Sequence, residues 1–307
     1  MSDAPLPPHE PEGTPPSPFP EPEPWPPSVP ATDGRAMDIA LQVTAAVGGL
    51  FVIFICYVGM QAVFLAAMPG RLRMAVLFGQ VFGLLLPGLL LLQITKTLRM
   101  LPPRRQHAGV GPGLSLALAT WTSGTALLAG AIVTSCLALI SPEILQKLLN
   151  FGMEMLGPIL DFQSPLDVIG IVLLVTVAPA ICEEVVFRGY VQRILRGRLS
   201  AAWSVGLAAF LFSAVHLEPL GFLSRLILGI GLGVAYERTG SLRLPMLMHG
   251  LHNLVTVLLF PWGDSAAIVP LRHEAVIALL AAVPATCVAM FLWWRVVRAL
   301  PEAPAPA

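Results

Sequence analysis

The sequence predicts an all-α polytopic membrane protein with about eight transmembrane helices that enclose a polar cavity within the membrane. Of its 307 residues, 56% are hydrophobic and 12% are charged, whereas a soluble domain carries roughly 25% charged residues. Apolar stretches approaching the roughly 20 residues needed to cross a bilayer recur along the chain. Carboxylates and imidazoles lie within three of these stretches, where ionisable side chains are costly and mark functional sites.

The chain is predicted to begin with a disordered, acidic, proline-rich tail over residues 1–36. This tail holds 13 of the 30 prolines and almost no residues that could form a core. It lacks the basic start and apolar centre of a signal peptide, so we expect it to remain on the mature protein. Residues 37–165 are predicted to form transmembrane helices and a surface helix, residues 166–260 the functional core, and residues 261–307 the last transmembrane helix and a short tail.

Eight apolar segments, two of them short, account for the predicted transmembrane helices: residues 39–68, 74–95, 114–140, 166–187, 201–217, 221–236, 242–260 and 275–294. Between the third and fourth segments, residues 142–160 alternate apolar and polar side chains at helical spacing. That spacing indicates an amphipathic helix on the membrane surface, positioned to gate access to the interior.

Lysines and arginines are concentrated in alternate connections, which predicts that both termini are cytoplasmic, as in a multi-pass protein of a bacterial inner membrane. The cations assigned to the outer side are fewer: Arg71, Arg73, Lys147, Arg225 and Arg272. Straight crossings would place Glu183 and His249 near the inner face but His216 near the outer face. Either the fourth helix continues to residue 196 and holds Glu183 at mid-depth, or the fifth helix is short and sunken.

The first polar group in the apolar segments contains two adjacent glutamates and an arginine. Glu184 and Arg188 are four residues apart with the acid first, which is the favoured order for an ion pair within a helix. Glu183 is rotated by about 100° from Glu184, so it has no partner in its own helix and is predicted to face a cavity as a general base. The alternative is that the group only caps the helix and neutralises itself at the interface.

Histidines mark the fifth and seventh apolar segments. His216 ends its segment, where a lone histidine is more often a packing residue, so its importance depends on its neighbours. His249 and Asn253 are four residues apart and are predicted to donate to the same oxygen, while His252 is either a spare ligand or a packing residue. Carboxylates and imidazoles activate water, so hydrolysis within the membrane is the leading hypothesis.

Several other features are predicted to have no catalytic or nucleic-acid-binding role. The glycines at 229, 231 and 233 resemble a phosphate-binding loop, but they lie in an apolar helix and are interpreted as helix-packing positions. The four cysteines have no metal-ligand spacing; three are read as buried hydrophobic residues, while Cys182, next to Glu183, could line the site. Zero formal net charge argues against a nucleic-acid partner, because phosphate binding requires a basic surface.

The polar residues form three ordered motifs: Glu183-Glu184-x-x-x-Arg188, Phe212-x-x-x-His216 and His249-x-x-x-Asn253. This ordered set resembles the CPBP family of intramembrane proteases, which includes the type II CAAX prenyl endopeptidases and the bacteriocin-processing and immunity (Abi) proteins. The resemblance covers roughly residues 166–260. It implies a helical membrane fold of about eight helices around a polar cavity, and endopeptidase activity near the C-terminus of a membrane-associated or lipidated protein.

Carried over by position, the resemblance implies that Glu183 and His216 activate the attacking water. It implies that His249 and Asn253 hold the oxyanion, and that Glu184 and Arg188 order the site. A zinc ion bound by Glu183, His216 and His249 and a metal-free glutamate mechanism use the same residues, so both remain open. The sequence does not identify the substrate or show whether prenylation matters.

Two other classes of function are compatible with intramembrane polar residues. A non-proteolytic membrane partner or immunity protein could use the same fold. A transporter could relay protons through intramembrane acids and histidines, but it would need repeated halves or broken helices at matching positions, and the sequence shows neither.

Overall fold

The computed structural model describes residues 34–98, 100–101, 109–162, 164–259, 270 and 272–298. This part of the chain forms nine continuous helices and contains no β-strand. In chain order they are α1 (Gly34–Ala67), α2 (Leu72–Thr97), α3 (Pro112–Ile140), α4 (Pro142–Leu160), α5 (residues 165–196), α6 (Ala201–Ala214), α7 (Phe222–Thr239), α8 (Arg243–Leu258) and α9 (Arg272–Arg298). Of the predicted tail, residues 1–33 lie outside the described residues, and residues 34–36 begin α1.

Five helices are long and apolar enough to cross a membrane, namely α1, α2, α3, α5 and α9. Together with the helical architecture, they confirm the predicted all-α polytopic membrane fold. The other three predicted crossings correspond to shorter helices, α6, α7 and α8, of 14, 18 and 16 residues. The count of eight crossings therefore stays a prediction.

The continued fourth helix and the short fifth helix of the two alternatives both occur in the structure, while the depth of the site in a membrane stays a prediction. Helix α5 continues without interruption through Gly189 to Arg196, so Glu183 lies well inside its length. Helix α6 ends at Ala214, three residues before the end of the predicted segment 201–217. Leu217 then adopts a left-handed conformation with φ of 53°, which prevents the helix from continuing.

Helix α5 departs from regular α-helical geometry in two places. The backbone is π-helical over Val172–Val177 and again over Val185–Gln192, with the second stretch beginning directly after Glu184. A π-helical turn contains more residues than an α-helical turn, and such turns are frequent at functional sites. The second stretch therefore sets the direction of Arg188 and Gln192 relative to the two glutamates.

Polar side chains of α5 contact α7 at three successive turns, which we call the α5–α7 ladder. Arg188 Nη2 donates to the Gly229 carbonyl at 3.0 Å, and Gln192 Nε2 donates to the Gly233 carbonyl at 3.0 Å. Arg196 Nε pairs with Glu237 Oε1 at 2.8 Å. Each contact joins residues 41 positions apart, so the two helices run parallel in constant register.

Glycines make this close packing of α7 possible. A methyl group at Gly231 would lie 2.6 Å from Thr122 Cγ2 on α3, and one at Gly229 would lie 3.1 Å from the Ala209 backbone on α6. A methyl group at either position would therefore require the contacted atoms to shift. The structure thus agrees with the interpretation of these glycines as packing positions.

The amphipathic helix is present as α4. Ser141 caps its first turn by accepting from the Ile144 N–H, while Leu145 and Leu160 are buried and Phe151 and Met155 are exposed. At the same end of the molecule Arg73, at the start of α2, bonds to the Ile159 carbonyl at 2.9 Å and pairs with Asp167 on α5. These contacts hold the last turn of α4 beside α5.

Candidate active site

A cavity of about 240 Å³ brings residues of α4, α5, α7 and α8 together with the end of α6. Four of the six predicted site residues line it: Glu183, His216, His249 and Asn253. The other two, Glu184 and Arg188, lie behind the cavity wall with side chains that are fully buried. The structure therefore gathers all six predicted residues in one region, at two depths from the cavity.

Glu183 presents one carboxylate oxygen to two imidazoles. Its Oε2 lies 3.9 Å from His216 Nε2 and 3.8 Å from His249 Nε2. This oxygen is buried and has no hydrogen-bond partner among the described residues. Both separations exceed a direct hydrogen bond, but each fits one water molecule that bonds to the oxygen and to a ring nitrogen at about 2.8 Å.

His216 is held just beyond the end of α6. Its Nδ1 lies 2.8 Å from the Phe212 carbonyl, one turn earlier. A carbonyl only accepts, so Nδ1 carries the proton and, in the neutral ring, Nε2 keeps a free lone pair. The next helix fixes this corner further, because Ser213 Oγ donates to the Phe222 carbonyl at 2.6 Å. His216 therefore directs a basic nitrogen towards Glu183.

His249 is held by Glu184 instead of by a backbone carbonyl. His249 Nδ1 lies 2.8 Å from Glu184 Oε1, and the same oxygen accepts from Arg188 Nη1 at 2.8 Å. The predicted ion pair between Glu184 and Arg188 is thus present, and it extends to the imidazole. Because Nδ1 donates to the carboxylate, His249 Nε2 is the nitrogen that faces Glu183 and the cavity.

Phe212 lies at the centre of the site, although the sequence indicates it only as the first residue of the motif Phe212-x-x-x-His216. Its ring meets His216 and His249 edge to face, with centroids 5.3 and 5.5 Å apart. The Arg188 guanidinium lies over the same ring, 4.8 Å from its centroid. One buried ring therefore contacts both imidazoles and the arginine behind them, and it limits the rotation of each.

The three residues suggested as zinc ligands converge, but with wider spacing than a bound metal would have. Ligand atoms around tetrahedral zinc lie about 3.4 Å apart, so Glu183 Oε2 and the two Nε2 atoms would have to move closer by about half an ångström. Among the described residues, no group of three or more His, Cys, Asp or Glu side chains is already arranged to hold a metal ion. The donor types, one carboxylate and two imidazoles, are nevertheless those that bind zinc.

The cavity also contains residues to which sequence analysis gave other roles. Arg225, assigned from charge counting to the outer side, lines the cavity from the first turn of α7 and pairs with Glu218 Oε2 at 3.0 Å. His252, left open as a ligand or a packing residue, is buried at the cavity wall. Leu156 and Leu160 bring the last turn of α4 to the same cavity, whereas Cys182 is not among its lining residues. None of these placements could be found from spacing within one helix.

Fold and site together define an integral membrane protein of the all-helical class with a glutamate and two imidazoles in a cavity among its helices. Residues 165–255 match the family model described as Type II CAAX prenyl endopeptidase Rce1-like. This match confirms the resemblance to CPBP proteases over the part of the chain that carries the three motifs. No curated protein and no solved structure matches the chain.

Proposed function

We propose that this protein is an intramembrane endopeptidase that cleaves a membrane-associated or lipidated protein, near the C-terminus of that substrate. The observation that carries the proposal is the meeting of Glu183 Oε2 with the Nε2 atoms of His216 and His249 across gaps of 3.8 to 3.9 Å. A carboxylate and a neutral imidazole that share one water are the groups that general-base hydrolysis requires. The match to an endopeptidase family over residues 165–255 supports the same reaction class.

The proposed reaction begins with a water held between Glu183 and His216. Glu183 accepts a proton from this water as its oxygen attacks the carbonyl carbon of the scissile peptide bond. The resulting oxyanion receives hydrogen bonds from Nε2–H of a protonated His249 and from the Asn253 amide, which lines the cavity one turn further along α8. Glu183 then returns the proton to the leaving amine, and the peptide bond breaks.

Glu184 and Arg188 act as positioning residues in this scheme. Their side chains are buried and do not line the cavity, so they act through His249, whose ring orientation Glu184 fixes. A divalent metal held by Glu183, His216 and His249 would supply a Lewis acid and a more acidic water at the same place. The roles of Asn253, Glu184 and Arg188 are the same with or without the metal.

The test is cleavage of a pooled peptide library, prenylated and unprenylated, by the purified full-length protein in detergent. Glu183→Gln keeps the size of the side chain but removes the base, so we expect the rate of cleavage to fall by about 10²- to 10⁴-fold. Glu154→Gln, on the exposed face of α4, is the matched control and should cleave at the wild-type rate. Adding a chelator to the wild type shows whether a metal participates.

Two results would overturn the proposal. Glu183→Gln with wild-type cleavage would remove the glutamate from the chemistry. If folded wild-type protein cleaves neither prenylated nor unprenylated peptides, a non-proteolytic role in binding another membrane protein would be favoured instead.

A further inference from the structure

A second cavity, of about 560 Å³, shares no lining residue with the catalytic cavity. It lies where the C-terminal ends of α5, α7 and α9 meet the first residues of α6. Its charged lining residues are three arginines and one glutamate, Arg196, Arg238, Arg298 and Glu237, so its formal charge is 3 − 1 = +2. A cavity with this excess of positive charge favours an anionic occupant.

Arg196 is held at the cavity by its pair with Glu237, and the other two arginines by a contact to each other and to a tryptophan. Arg238 Nη2 donates to the Arg298 carbonyl at 3.3 Å, which joins the ends of α7 and α9. The Arg298 guanidinium lies over the Trp294 ring, 4.3 Å from its centroid. Planar guanidinium groups held in this way suit phosphate oxygens, which they bind through paired N–H donors.

An apolar groove of about 320 Å³ adjoins this cavity and shares Ile230, Val234 and Trp294 with it. Its remaining walls are mostly aliphatic or aromatic, and include Ile227, Met290 and Phe291. Phe291 is 59% exposed, so the groove opens on the outer surface of the helix bundle. In a membrane this surface of α7 and α9 faces lipid chains.

We propose that the cavity and the groove form one binding site for an anionic phospholipid. The phosphate lies among Arg196, Arg238 and Arg298, and one acyl chain lies along the groove beside Ile230 and Phe291. Trp294 separates the two parts, at the level where tryptophans occupy the boundary between headgroups and chains. Basic pockets between transmembrane helices bind anionic headgroups in this way. The site is independent of the catalytic residues.

The test is native mass spectrometry of the full-length protein released from nanodiscs with equal amounts of phosphatidylglycerol and phosphatidylcholine. We expect the wild type to retain one phosphatidylglycerol with an excess of roughly 25-fold over phosphatidylcholine, since each of the two net positive charges of the cavity contributes about fivefold. Arg298→Gln should reduce this excess by about fivefold. Arg243→Gln is the matched control, because Arg243 is an exposed arginine just after the C-terminal end of α7 that lines neither the cavity nor the groove.

A second pair of variants tests the acyl-chain groove. Ile230→Trp fills the groove and should reduce the retention of phosphatidylglycerol severalfold. Ile277→Trp, at an exposed position of α9 that lines neither cavity, should leave retention unchanged. A competition with inorganic phosphate then separates a lipid from a free anion.

Three outcomes would overturn the proposal. Equal retention of the two lipids by the wild type would show that the arginines do not select a headgroup. An equal loss for Arg243→Gln and Arg298→Gln would indicate diffuse attraction to the interface. Displacement by millimolar inorganic phosphate, with no effect of Ile230→Trp, would make the ligand a free anion.

Discussion

Glu184 and Glu183 are adjacent in the chain but have opposite surroundings. Glu184 Oε1 accepts from both Arg188 and His249 at 2.8 Å, and its side chain is fully buried. Glu183 Oε2 faces the cavity without a hydrogen-bond partner among the described residues. The rotation of one residue along the helix therefore separates a structural carboxylate from one that is available to react.

We expect Glu184→Gln to lower the free energy of unfolding by about 3–5 kcal/mol, because it leaves the Arg188 charge buried without its partner. The double variant Glu184→Leu, Arg188→Leu removes both charges and should recover most of the lost stability. Neither variant should cleave peptides at the wild-type rate. In the double variant His249 has no acceptor for its Nδ1 proton, and in the single variant that acceptor is uncharged. Thermal unfolding in detergent and the peptide assay measure the two effects.

Glu154→Gln serves as the exposed control for stability and should change the melting temperature little. A double variant less stable than Glu184→Gln would contradict the assignment, because it would mean that the unpaired arginine is not the source of the loss. Full cleavage by the double variant would show that His249 does not depend on Glu184 for its orientation.

The residues of the site are predictable from the sequence to the extent that their interactions are local. The pair Glu184–Arg188 follows from its spacing of four residues along a helix. The hydrogen bond from His249 to Glu184 joins residues 65 positions apart. The presence of Arg225 in the cavity likewise depends on how α7 packs. Such contacts are set by the packing of separate helices, which no single segment specifies.

At the scale of elements, the α5–α7 ladder explains why α5 extends further than its hydropathy indicates. The apolar segment was predicted to end at residue 187, because Arg188, Gln192, Arg193 and Arg196 interrupt it. Arg188 and Gln192 donate to glycine carbonyl groups on α7, and Arg196 donates to Glu237 on the same helix. The acceptors lie on another helix, so hydropathy along α5 alone does not reveal that it continues.

The packing of α7 against α3 predicts a contrast between two glycines. Gly231→Ala places a methyl group 2.6 Å from Thr122 Cγ2, so we expect a loss of about 1–3 kcal/mol in stability through overpacking. Gly124→Ala, on α3, meets nothing within 4 Å and should be neutral or stabilising by up to about 1 kcal/mol. Melting temperatures of the two variants in the same detergent measure the difference. Equal melting temperatures would mean that α7 and α3 are not in close contact.

At the scale of the whole molecule, the charged residues divide between two ends of the helix bundle. Arg198 pairs with Asp38 at 3.2 Å, and Arg238 reaches the Arg298 carbonyl at 3.3 Å. These contacts bring the start of α1 to the same end as the C-terminal ends of α5, α7 and α9. Arg73 and Asp167 meet at the start of α2 and α5, at the other end.

This division, with the excess of arginines at one end, predicts that the start of α1 and the end of α9 both face the cytoplasm. Green fluorescent protein fused after residue 307 should therefore fluoresce in a bacterial host, and alkaline phosphatase fused there should be inactive. A phosphatase fusion truncated after Arg71, between α1 and α2, should be active and is the internal control. The reverse pattern of activities would place the arginine-rich end outside.

The α5–α7 ladder also has a consequence for biosynthesis. Arg188 and Glu184 enter the bilayer on α5. The Gly229 carbonyl, which accepts a hydrogen bond from Arg188, is 41 residues further along the chain. At translation rates of 5–20 residues per second, that interval lasts roughly 2–8 s. During this time Glu184 and Arg188 can pair with each other within α5. Their spacing of four residues lets the two side chains wait in the membrane as a neutral pair until α7 is made.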